Sequence, residues 1–165
     1  MTSIIKVDTI QTAAGGTPTA SSLGIGGTGK IGQVVSSTHT NDFTTSSTSF
    51  VDTGFDITIT PTSTSSRILV TFDIGCVYAS TSGNGNVCTI YRDDTTDLQG
   101  GADLGHFSRV DASNLFVPIY LQQLDSPNTT SAVKYTLYTR SRGGSEVQSP
   151  YNTSYSVAVA MEVLA

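Results

Sequence analysis

Two histidines, two cysteines and a loose run of aspartates are the residues of this 165-residue chain best able to do chemistry. A zinc site needs three or four convergent ligands, usually with one close-spaced pair. His39 and His106 lie far apart in polar, loop-like stretches, and no His-x-His, His-x-x-x-His or Cys-x-x-Cys occurs. His106 with Asp103 and Asp111 is the nearest approach to a cluster, and its plainer reading is three exposed loop residues. Serines abound, but no Gly-x-Ser-x-Gly elbow singles one out as a nucleophile. Cleavage of a sugar chain needs two carboxylates at a set separation, whereas the acids here are mainly aspartates in turns. Asp93, Asp94, Asp97 and Asp103 of "RDDTTDLQGGAD" (92–103) could offer oxygens to calcium. The run lacks the alternating acids and closing Glu of an EF-hand, so a solvated loop is the plainer reading. "GIGGTG" (24–29) is glycine-rich, but no strand–loop–helix frames it and Lys30 is followed by Ile31. That excludes a phosphate loop. "NTT" at 128 and "NTS" at 152 are glycosylation sites only in a eukaryotic secretory route, which nothing supports. The expectation is a protein that is not an enzyme, with no catalytic residue, no metal and no cofactor.

Composition narrows the partners. The net charge is −5 and the eight Lys and Arg are scattered. A nucleic-acid backbone needs clustered cations to displace its counterions, so no nucleic-acid partner is expected. No stretch approaches the roughly 18 consecutive apolar residues of a membrane helix, so no membrane insertion is expected. The N-terminus has no basic stretch followed by an apolar core, which argues against Sec export. Ser and Thr make up 48 residues. Thr favours strands and Ser favours turns and edges, and the apolar residues fall in alternating runs that a disordered chain lacks. The chain therefore reads as one all-β domain, residues 31–165, behind an N-terminal segment, residues 1–30.

The elements follow from the period of two. Strands are expected at 31–37, 49–60, 67–79, 87–94, 115–124, 133–141 and 154–165, with turns at 61–66, 80–86 and 125–132. Residues 95–113 read as a long loop with a short strand near His106 and Phe107. No segment shows a helical period. About eight strands at this spacing make a sandwich or a barrel, and an antiparallel, jelly-roll-like β-sandwich is the expectation. In "RILVTFDIGCVYA" (67–79) the even positions Ile68, Val70, Phe72, Ile74, Cys76 and Tyr78 form one apolar face. A hairpin through "STSGNGN" would set Ile74 near Ile90 and Cys76 near Cys88. The two cysteines then form a cross-strand disulfide or, without an export route, two buried thiols.

The last strand, "SYSVAVAMEVLA", is apolar on both faces. Tyr155, Val157, Val159, Met161 and Val163 line one; Ala158, Ala160 and Leu164 line the other, interrupted by Glu162. One face is expected in the core. The other, read as Ala158, Ala160 and Leu164 with Tyr120, Tyr135 and Tyr138 nearby, packs on a second subunit or under the chain's own loops. Tyr91, Tyr151 and Tyr155 lie beside polar turns and could stack on sugar rings, or serve as core or interface tyrosines.

Four blocks in order, "IIKVDTIQTAAGG", "TSTSFVDTGFDITITPTSTSSRILVTFDIG", "LQQLDSPNTTSAVKYTLYTRSRGG" and "SYSVAVAMEVLA", resemble fibre proteins of marine and cyanobacterial tailed phages and prophages. The resemblance covers most of the chain and is poorest over 93–113. It implies a homotrimer, an N-terminal segment that attaches to the particle or extends a shaft, and an outward jelly-roll-like knob. On that reading Ile4, Ile5, Val7 and Ile10, too few for a core, serve virion attachment or trimerisation, and residues 11–30 serve as a spacer. The plainer reading of the leader is a floppy terminus. The expected function is a structural virion protein, a trimeric fibre or decoration subunit made in the host cytoplasm and located in the virion. Its partners would be other virion proteins and host surface polysaccharide. The alternative is a carbohydrate-binding adhesin outside any virion; a hydrolase is the third class.

Overall fold

A period of two in side-chain burial runs through most of the long strands described below. In the computed structural model, which describes residues 30–80, 85–100 and 115–165, the elements are β1 (Ile31–His39), β2 (Thr44–Thr45), β3 (Val51–Ile59), β4 (Arg67–Ala79), β5 (Asn86–Arg92), β6 (Thr96–Asp97), β7 (Leu115–Asp125), β8 (Val133–Ser141), β9 (Val147–Gln148) and β10 (Ser156–Val163). They form two antiparallel sheets. One runs β1-β10-β4-β9-β2 with β7 on the other side of β4; the second runs β3-β8-β5-β6. Leaving aside the short strands β2 and β9, the eight others, the two-residue β6 among them, fall as first-eighth-third-sixth in one sheet and second-seventh-fourth-fifth in the other. That is the strand order of a jelly roll. The all-β antiparallel sandwich expected from the sequence is therefore the fold.

The core lies between the sheets. Phe55, Ile57 and Ile59 of β3, Ile90 of β5 and Tyr135 and Leu137 of β8 meet Ile68, Val70, Phe72 and Ile74 of β4, Leu121 of β7 and Ala158 and Ala160 of β10. Phe55 meets Phe72 edge to face, with centroids 5.0 Å apart, a favoured aromatic geometry.

Three expectations are corrected here. β4 and β5 do not form a hairpin: they belong to different sheets, so Ile74 and Ile90 line the core from opposite sheets and are not ladder partners. Cys76 and Cys88 are consequently both free, Cys88 buried and Cys76 half-buried, and burial pushes both thiols up, away from reactive thiolate. The even-numbered face of β4 also breaks. A register shift between Ile74 and Val77 leaves Val77 and Ala79 in the core and turns Cys76 and Tyr78 out of it, as a β-bulge does. Finally, His39 is not in a loop. It ends β1 stacked on Phe55 at 4.8 Å, and burial lowers its pKa. Residues 101–114, with the short strand expected at His106 and Phe107 and the acids Asp103 and Asp111, lie outside the described residues.

Two buried polar clasps hold the sandwich. At one end, Asp125 of β7 receives Arg92 Nη1 of β5 on both oxygens (2.8 and 2.9 Å) and the Tyr135 hydroxyl of β8 (2.8 Å), so it ties one sheet to the other. At the other end, Asn86 is fully buried; its Nδ2 donates to the Gln148 carbonyl (2.9 Å) and to Ser149, and its Oδ1 accepts from Thr139.

Candidate assembly face

β10 is apolar on both sides, and the structure reverses which side is inner. Ala158 and Ala160 are fully buried in the chain's own core, while Val157, Val159, Met161 and Val163 are half-buried on the outer side. Ala158 pairs with Phe72 and Ala160 with Val70. The large rings Phe55, Phe72 and Tyr135 fill the space between the sheets, so the smaller side of β10 faces in. Ala158 and Ala160 are therefore core residues and cannot form a subunit contact. Tyr135 is core as well. Leu164 closes the edge of the fold instead: its N–H donates to the Lys30 carbonyl (2.8 Å) and its side chain lies over Gly32.

The outer side of this sheet carries the apolar surface. Registers on three ladders align Val34, Met161, Leu69 and Leu124 in one row across β1, β10, β4 and β7. The next row is Ser36, Val159, Thr71 and Gln122, and the third Thr38, Val157, Asp73 and Tyr120. A bulge between Ile31 and Val34 puts Ile31 on this side too, opposite Val163. Among the described residues six large hydrophobics are exposed: Ile31, Val34, Phe116, Tyr120, Leu124 and Tyr155. Five lie on the strands of this one sheet, and Tyr155 immediately precedes β10. A soluble monomer scatters such residues; concentration on one sheet face marks a contact surface. Arg67 and Asp73, exposed on β4, sit at its two ends as a polar rim.

Tyr120 lies exposed on the outer face, and Tyr138 does not. Tyr138 lies on the other sheet, stacked on Tyr91 with centroids 4.1 Å apart. Asp52 and Asp94 lie close enough to Tyr138 to help burial raise its pKa. Tyr91 and Tyr151, candidates for sugar contact, are on different sheets' surfaces: Tyr151 joins Tyr78 and Phe116 in a second aromatic group. Ile4, Ile5, Val7 and Ile10 lie outside the described residues. The aspartates near β5 are engaged by the protein itself. Asp93 Oδ1 accepts the Lys134 N–H (2.9 Å), Asp94 pairs with Lys134 and accepts from Thr136 (3.1 Å), and Asp97 accepts from Thr89 (2.6 Å).

Glu162 carries a role that no sequence feature assigned. It is fully buried, in phase with Ala158 and Ala160. Its Oε1 accepts both the N–H and the hydroxyl of Thr62 (2.7 Å each), and its Oε2 accepts from Gln33 Nε2 (2.8 Å). It so pins β1, β10 and the β3–β4 turn beneath the outer face. The only sequence signal was a carboxylate at a core position of an apolar strand. Burial acts to raise its pKa, while the Ser66 hydroxyl beside it, the Gln33 amide and both Thr62 donors pull it down to about 2 from an ordinary 4.5. A depressed carboxylate stabilises the fold fully above its unfolded pKa, and that stability is lost as pH falls through the folded value. Urea midpoints of the wild type should therefore fall between pH 5 and pH 2 more steeply than those of Glu162→Gln. A constant gap between the two across that window would show that the depressed carboxylate does not exist.

No family model and no curated protein matches the sequence. Solved structures similar to it include those of infectious bursal disease virus proteins and particles. The VP2 subviral particle superposes with a TM-score of 0.46 at 15% identity, over 80% of this chain and 32% of that one. The Gx strain structure gives 0.41 at 15% identity, over 81% and 37%. Particles of T=1 symmetry derived from the virus give 0.40 at 17%, over 81% and 36%. The chain thus spans about a third of the length of these neighbours. What those proteins assemble into is a property of theirs; the strand order above is established without them.

Proposed function

We propose that this chain is a structural protein of a tailed-phage virion. It is a homotrimeric fibre or decoration subunit, made in the host cytoplasm, attached to other virion proteins through residues 1–30 and displaying the 31–165 sandwich toward the host surface. Its work is mechanical and adhesive, without catalysis. The observation that carries this reading is the outer face of the six-stranded sheet, where an apolar row four strands wide is only partly covered by the described residues. Such a face suits burial against further copies, which would add intersubunit stabilisation to the core. The four sequence blocks that resemble phage fibre proteins support the threefold arrangement. The hydroxyl-rich remainder of the surface suits a protein repeated on a soluble particle.

Light scattering tests it. The full chain should have about three times its 17.2 kDa mass, and Met161→Glu or Leu124→Glu should reduce the mass to that of one chain with unchanged circular dichroism. A charge buried unpaired in an apolar contact costs several kcal/mol, enough to dissociate the copies. A wild-type chain that is monomeric at all concentrations sinks the trimeric reading. Threefold mass unaffected by both variants would move the trimer contact to Ile4, Ile5, Val7 and Ile10. Residues 1–30 carry a separate expectation: removing them should abolish incorporation into particles.

A further inference from the structure

The apolar row stops short of the far end of the same sheet, and the chemistry changes there. Beyond the β4 bulge, Phe116, Tyr78, Gln148 and Thr44 align across β7, β4, β9 and β2. Tyr78 and Phe116 stack with centroids 5.3 Å apart and planes 23° apart, and Tyr151 closes the group at 5.0 Å from each. The Tyr151 N–H donates to the Cys76 carbonyl (3.0 Å), which fixes its ring beside the bulge. Phe116 is 49% exposed. Gln148 donates to the carboxylate of Glu146 (3.1 Å), so an amide and a carboxylate flank the rings, with the exposed Thr44 hydroxyl next in the row.

We infer that this aromatic ledge, Phe116, Tyr78 and Tyr151 with Gln148, Glu146 and Thr44, binds the uncharged sugars of a polysaccharide. An aromatic ring offers an apolar face to the C–H face of a sugar ring, and a few placed polar groups orient its hydroxyls. The row supplies both within adjacent strands. Net charge −5 and the Glu146 carboxylate disfavour uronic and sialic acids. Bases also stack on aromatic rings, but a nucleic-acid strand needs a cationic track that is missing from this row. The inference rests on the adhesive part of the reading above and deepens it: a shallow ledge binds weakly, and repetition on a trimer and a particle multiplies it.

The test uses the full chain on an array of hexose, 6-deoxyhexose and N-acetylhexosamine oligosaccharides, beside uronate- and sialate-bearing ones, with the mass of each sample measured. Binding confined to uncharged sugars is expected, weakened about tenfold or more by Phe116→Ala and by Gln148→Ala and retained by Phe116→Tyr. Circular dichroism and mass should match the wild type throughout. Silence on every uncharged sugar overturns the inference. So do a preference for uronates or sialates, binding indifferent to Phe116→Ala, and equal losses in Phe116→Ala and Phe116→Tyr. A monomer that binds would sink the trimer and leave the ledge; a trimer that is silent would do the reverse.

Discussion

Asp125→Ala should be among the most damaging single changes in this chain, lowering stability by about 3 kcal/mol. Asp125 is 8% exposed and is the shared acceptor for Arg92 and Tyr135. Removing it strands a guanidinium and a phenol that have already given up water. Breaking a buried ion pair from one side costs about 3–5 kcal/mol, and the low end applies because the Arg92 side chain keeps a quarter of its surface in solvent. The Tyr135 hydroxyl has no such relief. Burial and the neighbouring carboxylate both push its pKa far up, so it stays a protonated donor that needs an acceptor. At about 2 kcal/mol per molar of urea, the midpoint should drop by roughly 1.5 M. Asp125→Asn, which keeps one acceptor oxygen, should lose about half as much. A drop below 0.5 M for Asp125→Ala would mean that the clasp between the sheets is not a stabilising contact. Because Asp125 ends β7, the same loss should loosen the edge strand that carries Tyr120 and Leu124.

Gly75→Ala should cost about 2–3 kcal/mol, the upper part of the range for overfilled sites. A Cβ at Gly75 would collide with the Tyr155 carbonyl oxygen. Neither side can yield by a rotamer change. Gly75 lies within the β4 bulge, where its N–H donates to Ser156 Oγ (3.1 Å), and Tyr155 leads directly into β10. The strain must move backbone, and the backbone it moves sets both the position of the outer face and the turn of Tyr78 toward Phe116. We expect a lowered urea midpoint. An alanine variant as stable as the wild type would show that β4 and the start of β10 lie farther apart than the structure has them. Gly32→Ala makes a useful contrast. Its Cβ would press on the Leu164 side chain, the flexible end of a residue at the edge, and a smaller loss is expected.

Much of the fold was legible because strands have a period of two and turns have their own chemistry. The bounds expected for β4 and β8, 67–79 and 133–141, are those observed. β1, β3, β5, β7 and β10 were each found within two residues at either end. The two-residue strands β2, β6 and β9 were missed, since two residues cannot display a period. The outer face was legible only as a doubly apolar last strand; Val34, Met161 and Leu124 acquire meaning only when three ladders put them in one row.

The sequence by itself determined that this chain is all-β, where its long strands lie, and that its last strand is apolar on both sides. Those are properties of local order, carried by neighbours one and two residues apart. Only the tertiary structure decided which side of that strand faces in, that β4 and β5 part into different sheets, and that Tyr91 and Tyr151 point from different surfaces. Alternation says that two faces exist, not which one is the core; when both are apolar, volume decides, and the rings of Phe55, Phe72 and Tyr135 leave room for Ala158 and Ala160 but not for Val159 and Met161. The bulge at Gly75 and Cys76 is likewise a matter of contact. It exists where β4 passes the Tyr155 carbonyl, residues far along the chain from it, and by shifting the phase of one strand it separates the apolar face from the aromatic ledge.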